Sequence, residues 1–300
     1  MLFNDSIERI RSNPKILIIP LLYNLFLYIY FLMGDFKLTR DFNLSFTLPS
    51  IPPQITQVIE VELPRLQELI LGRLGLPGEL TYEELINFFT IPNTFYLVIS
   101  LLILGMIASF IQSGFLGLIK ADFRGNKATL SGFMDNARYF FIRLFLTKLL
   151  YFVAALLIIS LIMVIFLTGG SAESPHLTNI GGILLIMGAL LVGFLIIILL
   201  LVFHEFSIVE DDTGVFDGIR RSYITVKTNL IKTIKNLFLV ALMMAIVGML
   251  TQLVAMLSLL LSIFIYIPVG TLGVYVIYAL YRQLTSTIKT RTALDDENVV

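Results

Sequence analysis

The sequence predicts an all-α polytopic membrane protein. Its six transmembrane helices would form three units, each an elbow helix plus a helical hairpin, with an extracytoplasmic α/β cap between helices 1 and 2. Three observations lead there. Of 300 residues, 57% are hydrophobic and 14% charged, against roughly 45–50% and about 25% in an average soluble domain. The apolar residues gather into runs near the length of about 20 that a helix needs to cross the hydrocarbon core. A polar string also recurs: GFMDNAR at 132–138 and GVFDGIR at 214–220 place Gly, Asp and Arg at the same spacing.

Spans are expected near 16–33, 95–119, 149–168, 181–203, 237–259 and 264–283. Residues 34–94 are the insertion and 284–300 a tail. Pro14 pre-sets the turn into the first span. That span follows Arg9, Arg11 and Lys15 as a signal peptide would, but no small-residue cleavage site follows Tyr30, so it reads as a retained helix. The last apolar tract is too long for one helix, and its reversal is expected between Leu259 and Pro268. Pro268, Gly270 and Gly273 would kink the sixth helix or leave it irregular. Lys and Arg set the orientation. The N-terminus, 120–148, 204–236 and the C-terminus carry 3, 6, 5 and 3 of them, 17 of 21, against four in the insertion. Both termini are therefore expected in the cytoplasm of a multi-pass protein of the prokaryotic plasma membrane.

Asp135 and Asp217 lie 82 residues apart, and each precedes two spans. A third lead-in begins around Asp5, 130 residues before Asp135, and the insertion accounts for the excess. In the elbow after 214, Ile219, Tyr223, Val226, Leu230, Ile234 and Leu237 fall on one helical face, with Arg and Lys elsewhere. Such a helix would lie in the headgroup plane, apolar face down. Gly214 makes the turn, and Asp217 favours the helix start and pairs with Arg220 or Arg221. Asp135, Arg138, Asp217, Arg220 and Arg221 are thus the candidate contacts with lipid headgroups or a cytoplasmic protein partner.

The stretch VFDGIRRSYITVKTNLIK, 215–232, follows the acidic Glu210, Asp211 and Asp212. With its Ile219-Arg-Arg-Ser222 start, its Lys227 to Asn229 stretch and the N-terminal Asn13-Pro14-Lys15 and Pro20, it resembles uncharacterised prokaryotic six-helix membrane proteins. It is also similar to the membrane domain found ahead of some bacterial glycerophosphodiester phosphodiesterases. The resemblance covers the hairpin framework, leaves out the insertion and implies polytopic topology without catalytic residues. The phosphodiesterase catalytic domain itself is absent from this sequence.

In the insertion, Phe36, Leu38, Phe42, Leu44, Phe46 and Leu48 alternate with polar residues, the period of a strand or extended interfacial segment. Its open edge would pair with another copy or a partner, or turn within itself. An amphipathic helix is expected over 53–76, and Thr81 with Glu84 forms a capping box opening a short helix. Within the bundle, Gly105, Ser109, Ser113 and Gly117 form a small-residue seam. Ala241, Ala245, Gly248, Gln252 and Ala255 form another, and Ala189 with Gly193 a third. Gln112 and Gln252 are the expected intramembrane polar contacts. Lys148, His204 and Glu205 fall at span ends, where snorkelling suffices, and the acids at 210–212 read as a solvated turn.

A net charge of zero gives no basis for nucleic acid binding, and the absence of cysteine removes disulfides and thiolate sites. His176 and His204 stand apart, and neither has the partners of a hydrolase or zinc motif. No cofactor or metal site is expected. The sequence reads as a non-enzymatic scaffold or accessory subunit of a membrane complex, docking through the cap or the elbows. The alternative is a transporter or lipid-handling protein with a cavity lined by Gln112 or Gln252.

Overall fold

The computed structural model describes residues 2–32, 37–38, 46–55, 61–62, 91–169, 188, 192–193 and 195–297. The N-terminal elbow is α1, Leu2–Ser12, followed by a 3-10 turn, Pro14–Leu17, and α2, Ile18–Leu32. Two long helices come next, α3 (Ile91–Phe123) and α4 (Leu130–Gly169). After them lie α5 (His204–Glu210), α6 (Val215–Thr228), α7 (Leu230–Ala255) and α8 (Leu259–Glu297). Among the described residues, four helices are long and apolar enough to cross a membrane, or five if the pair on either side of Asn13, bent by 91°, counts as one. Residues 181–187, 189–191 and 194 of the fourth expected span, Ala189 among them, fall outside the described residues, as do His176 and residues 63–90 with their capping box.

Helix α8 is central. In its most apolar stretch 61% is buried, against 11% in α4. The outward faces of α3, α4 and α7 carry Ile103, Leu104, Leu157 and Leu250, all exposed, the surface expected of helices solvated by lipid tails. Where α3 meets α4 the packing runs through glycine. A Cβ on Gly117 would stand 2.2 Å from Asn136 Cβ, and one on Gly114 would stand 2.4 Å from the Phe133 ring. Ser113 of the expected seam donates to Ala137 O at 3.1 Å. Gly125, at φ +82°, ends the α3 turn, and Thr129 caps α4 by accepting from Gly132 N at 3.1 Å.

The three lead-ins differ. The first turns at Asn13 (φ −134°, ψ 62°) and the third at Asn229 (φ −128°, ψ 35°). The second has no elbow break: 132–138 lies inside the uninterrupted α4. The break at Asn229 also divides the apolar stripe expected along the third lead-in. Val226 and Leu237 are buried, while Tyr223, Leu230 and Ile234 face outward. The face of α6 turned inward is instead mostly small and polar: Gly218, Ser222 and Thr225, with Val226 the apolar member.

The last pair departs from expectation in two ways. The chain reverses at residues 256–258, just ahead of the expected place, and α8 then runs through Pro268 as one helix. Its glycines serve close approach rather than a kink. A Cβ on Gly270 would sit 2.7 Å from Pro53 Cβ, and one on Gly273 would sit 2.9 Å from Pro49 Cγ.

Those prolines belong to the insertion, so residues 46–55 lie against the bundle and not wholly outside it. Asn24 of α2 holds them, donating to Pro53 O at 2.8 Å and accepting from Ile55 N at 2.8 Å. Asn24 lies about 16 Å along the helix from Asn13, roughly half of a 30 Å hydrocarbon core. Irregular backbone at such depth must be satisfied by protein. Pro49, Pro52 and Pro53 bring no N–H donors, and Asn24 serves the Ile55 N–H. In the rest of the insertion, a two-residue antiparallel ladder pairs Lys37 with Glu62 and Leu38 with Val61. The second strand of that ladder falls where a helix was expected over 53–76.

Candidate functional site at the polar end of the bundle

The polar side chains that bridge distant helices collect at one end of the bundle, around the turn from α5 to α6. Of the three consecutive acids there, Glu210 and Asp211 are largely withdrawn from solvent, while Asp212 stays exposed as expected of a solvated turn. Tyr278 of α8 donates to Glu210, and Arg282 pairs with it at 3.0 Å. Tyr281 donates to Asp211, and Arg221 of α6 pairs with it at 3.2 Å. Tyr139 of α4 donates to Asp212 at 2.7 Å, and Arg143 pairs with it. The Tyr139 hydroxyl, and then the Arg143 guanidinium, hold the Asp212 carboxyl below its usual range. Asp212 is also the residue with positive φ, 54°. Asp212 therefore makes the left-handed turn, while Gly214 is extended at φ −72°, ψ 171°.

A second layer ties in the N-terminus. Tyr275 donates to buried Asp122 at 3.1 Å, and Asn13 donates to the same carboxylate at 2.8 Å. Phe123 lies beside Tyr275 and Tyr278, with Arg9 and Arg282 at 4.3 and 5.2 Å from its ring centroid. Each such cation–ring contact contributes about 0.5–1 kcal/mol at an exposed site. Lys120, buried at the end of α3, donates to Val209 O and stands 5.0 Å over Phe140.

The third group lies between α3, α4 and α5. Gln112 Nε2 donates to Glu205, with Lys148 of α4 within electrostatic reach. His204 is fully enclosed, with Nδ1 at 2.6 Å from the Tyr151 hydroxyl and Nε2 at 2.9 Å from Val215 O. The carbonyl can only accept, so Nε2 carries a proton and Nδ1 accepts from the tyrosine. Burial pushes His204 below its usual value, which keeps the ring neutral. Snorkelling does not describe either residue. Beside them Gly218 leaves room for α5: a Cβ there would meet His204 and Ile208 at 2.9 Å and Ser207 at 3.0 Å.

Of the residues singled out from sequence, the structure brings two into this region. Gln112 reaches Glu205, and Arg221 reaches Asp211 rather than Asp217. Asp135, Arg138, Asp217 and Arg220 are exposed, with no polar partner among the described residues. Gln252 sits near the opposite end of α7, half-buried. The tyrosines were missed, although Tyr275, Tyr278 and Tyr281 recur every three residues near the end of a span, a readable signal. Among the described residues no group of three or more His, Asp or Glu side chains could hold a metal ion. A groove of about 210 Å³ opens between α6 and α8, lined in part by Arg221, Ile224, Tyr281 and Thr285.

Residues 91–294 match a family model described as a domain of unknown function, DUF7847. The match covers more than half of the chain, which therefore belongs to that family. It starts with α3 and leaves out the N-terminal elbow, α2 and the insertion. No curated protein and no solved structure matches the chain.

Proposed function

We propose that this DUF7847 protein is a non-enzymatic scaffold or accessory subunit in the prokaryotic plasma membrane. In this reading it has six spans in three lead-in-plus-hairpin units, cytoplasmic termini and an outer α/β cap built from the insertion outside 46–55. The side holding 17 of 21 Lys and Arg is the cytoplasmic one. The reading includes kinship with the membrane domains ahead of some glycerophosphodiester phosphodiesterases. The observation that carries it is the interlocked polar end. Three acids are each fixed to a different tyrosine, so the platform is stiff, while α6 and the start of α7 turn Phe216, Arg220, Tyr223 and Ile231 outward. Ile231 is 83% exposed. A rigid face with bare aromatic and basic residues suits a partner at the membrane surface.

Photo-crosslinking from Phe216 and Ile231 in native membranes tests this. The same protein should be captured at both positions and not from Leu157 on the lipid-facing side of α4. Capture of lipid alone at all three would count against it. Cysteine labelling on this cysteine-free chain tests topology: Ser45 should react from outside and Ser131 only after permeabilisation.

A second reading, a lipid-handling or transport protein, is favoured by one observation, the contact of Glu205 with Gln112 of α3 between α3, α4 and α5, since polar groups between membrane helices often mark pathways. Vesicles carrying the reconstituted protein would then move a fluorescent phospholipid analogue between leaflets, and Glu205→Ala would abolish the movement.

A further inference from the structure

We propose that a groove between α1 and α7 seats one acyl chain of a phospholipid of net negative charge, whose phosphate is met by Lys232 and Lys235. The proposal goes beyond the scaffold reading and does not depend on it.

The groove itself is apolar. It holds about 430 Å³ and is lined by Phe3 of α1 and by Leu239, Leu242, Met243, Ile246 and Val247 of α7. Leu239, Leu242 and Ile246 are exposed along it. The helix that forms its floor also supplies its mouth. Lys232, Lys235, Leu239, Leu242 and Ile246 recur at steps of three and four, which places them on one face of α7. Both lysines are exposed, and neither pairs with an acid among the described residues. The acids of α1 are turned from the groove. At 3.6 residues per turn, Asp5 and Glu8 fall about 140–160° round the helix from Phe3, and Asp5 is held by Arg9. Two cations without acidic partners at the head of an apolar channel complement a phosphate joined to a hydrocarbon chain.

Depth selects a lipid over a protein helix. At a rise of 1.5 Å per residue, Lys235 stands about 6 Å from Leu239, and Leu239 to Val247 spans about 12 Å. Half of a 30 Å hydrocarbon core is about 15 Å. The groove therefore fits within one leaflet, that of the polar end, with its lysines at headgroup level. A membrane-crossing partner helix would need a matching face of about 30 Å. A free phosphate would use the lysines and leave the groove empty.

The test is native mass spectrometry of the intact, delipidated protein in detergent, titrated with phosphatidylglycerol or with phosphatidylcholine of the same chains. Each lysine near an anionic lipid is worth about fivefold in affinity. Phosphatidylglycerol should therefore bind more tightly, and Lys232→Gln combined with Lys235→Gln should weaken it by about 25-fold and remove the preference. Lys227→Gln removes a cation of α6 that lies over Tyr223, away from the groove, and should leave the affinity unchanged. Leu242→Trp fills the groove and should weaken binding with both lysines in place, while glycerol 3-phosphate should not compete. Equal binding of the two lipids would overturn the proposal, as would equal losses in Lys227→Gln and the double variant. So would a Leu242→Trp protein that binds like wild type, or competition by glycerol 3-phosphate. A photo-crosslinker at Leu242 in native membranes gives a second arm without detergent. It should capture phospholipid, and capture of a protein there, a second copy of this chain included, would overturn the proposal.

Discussion

GFMDNAR and GVFDGIR look like two copies of one device, and the structure uses them in opposite ways. Both press against the preceding helix through a glycine, but on opposite sides of the contact. In the first, the fifth residue is Asn136, a knob seated in the notch that Gly117 leaves on α3. In the second, the fifth residue is Gly218, itself the notch, and His204, Ile208 and Ser207 fill it. The first continues straight into α4, while the second starts a separate helix that ends at Asn229. Matching polar punctuation therefore marks where a lead-in begins and does not say which partner is large. Knob and hole need only be complementary.

The comparison can be broken most sharply at Gly117. Alanine there would place Cβ 2.2 Å from Asn136 Cβ, where neither helix can yield cheaply. Gly117→Ala should cost about 3 kcal/mol, the upper range for overpacking, read as a lower thermal midpoint in detergent. Adding Asn136→Gly, which copies the arrangement of the third unit, should recover most of the loss. Recovery would fall short by about 1 kcal/mol for the helix propensity of glycine. A double variant no better than the single one would show that the notch is not the cause.

The third unit is also bolted within itself by tyrosines of α8, on Glu210 and Asp211, while Tyr139 and Tyr151 of α4 tie the second unit to it. Tyr278→Phe removes a donor to Glu210 and leaves Arg282 on that carboxylate. The expected loss is about 2 kcal/mol, and limited proteolysis at the α5–α6 turn should speed up with it. Gly218→Ala should be milder, about 1 kcal/mol, because its 2.9 Å contacts are to side-chain atoms of His204 and Ile208 rather than to a Cβ.

Smaller still is a pH effect at Asp212. Its carboxyl is held below the ordinary value of 3.8, so the Tyr139 and Arg143 contacts stabilise the fold above that pH and are lost as the pH falls through the lowered value. Tyr139→Phe should flatten the acid limb of a stability-versus-pH curve while changing little at pH 7. Asp135→Asn and Asp217→Asn should be the quietest, within about 0.5 kcal/mol, as exposed sites without partners are. If either lowers partner capture without lowering stability, that aspartate is a docking residue.

Much of the fold was legible along the chain. The helices follow from apolar runs, and Pro14 marked the turn into the first span. The glycines at 270 and 273 were visible too, but read as weaknesses of a helix. Their purpose depends on Pro49 and Pro53, more than 200 residues earlier, and nothing local to α8 announces a proline segment at half-depth. The apolar stripe along 219–237 misled because periodicity assumes one unbroken helix, and Asn229 interrupts it.

What the sequence determined by itself was that the chain is built largely of helices, several of them apolar and long enough to cross a membrane. Helix formation and transfer to lipid depend on residues within a few turns of one another. What only the tertiary structure decided was how the polar end is joined. Asp122 meets Asn13 and Tyr275 from 109 and 153 residues away, and Asp211 meets Tyr281 across 70. A carboxylate and a hydroxyl that distant have no signature until packing brings them within reach. Lipid tails are as apolar as the helices, so packing rests on shape and on these few polar contacts, and both are properties of the assembled bundle.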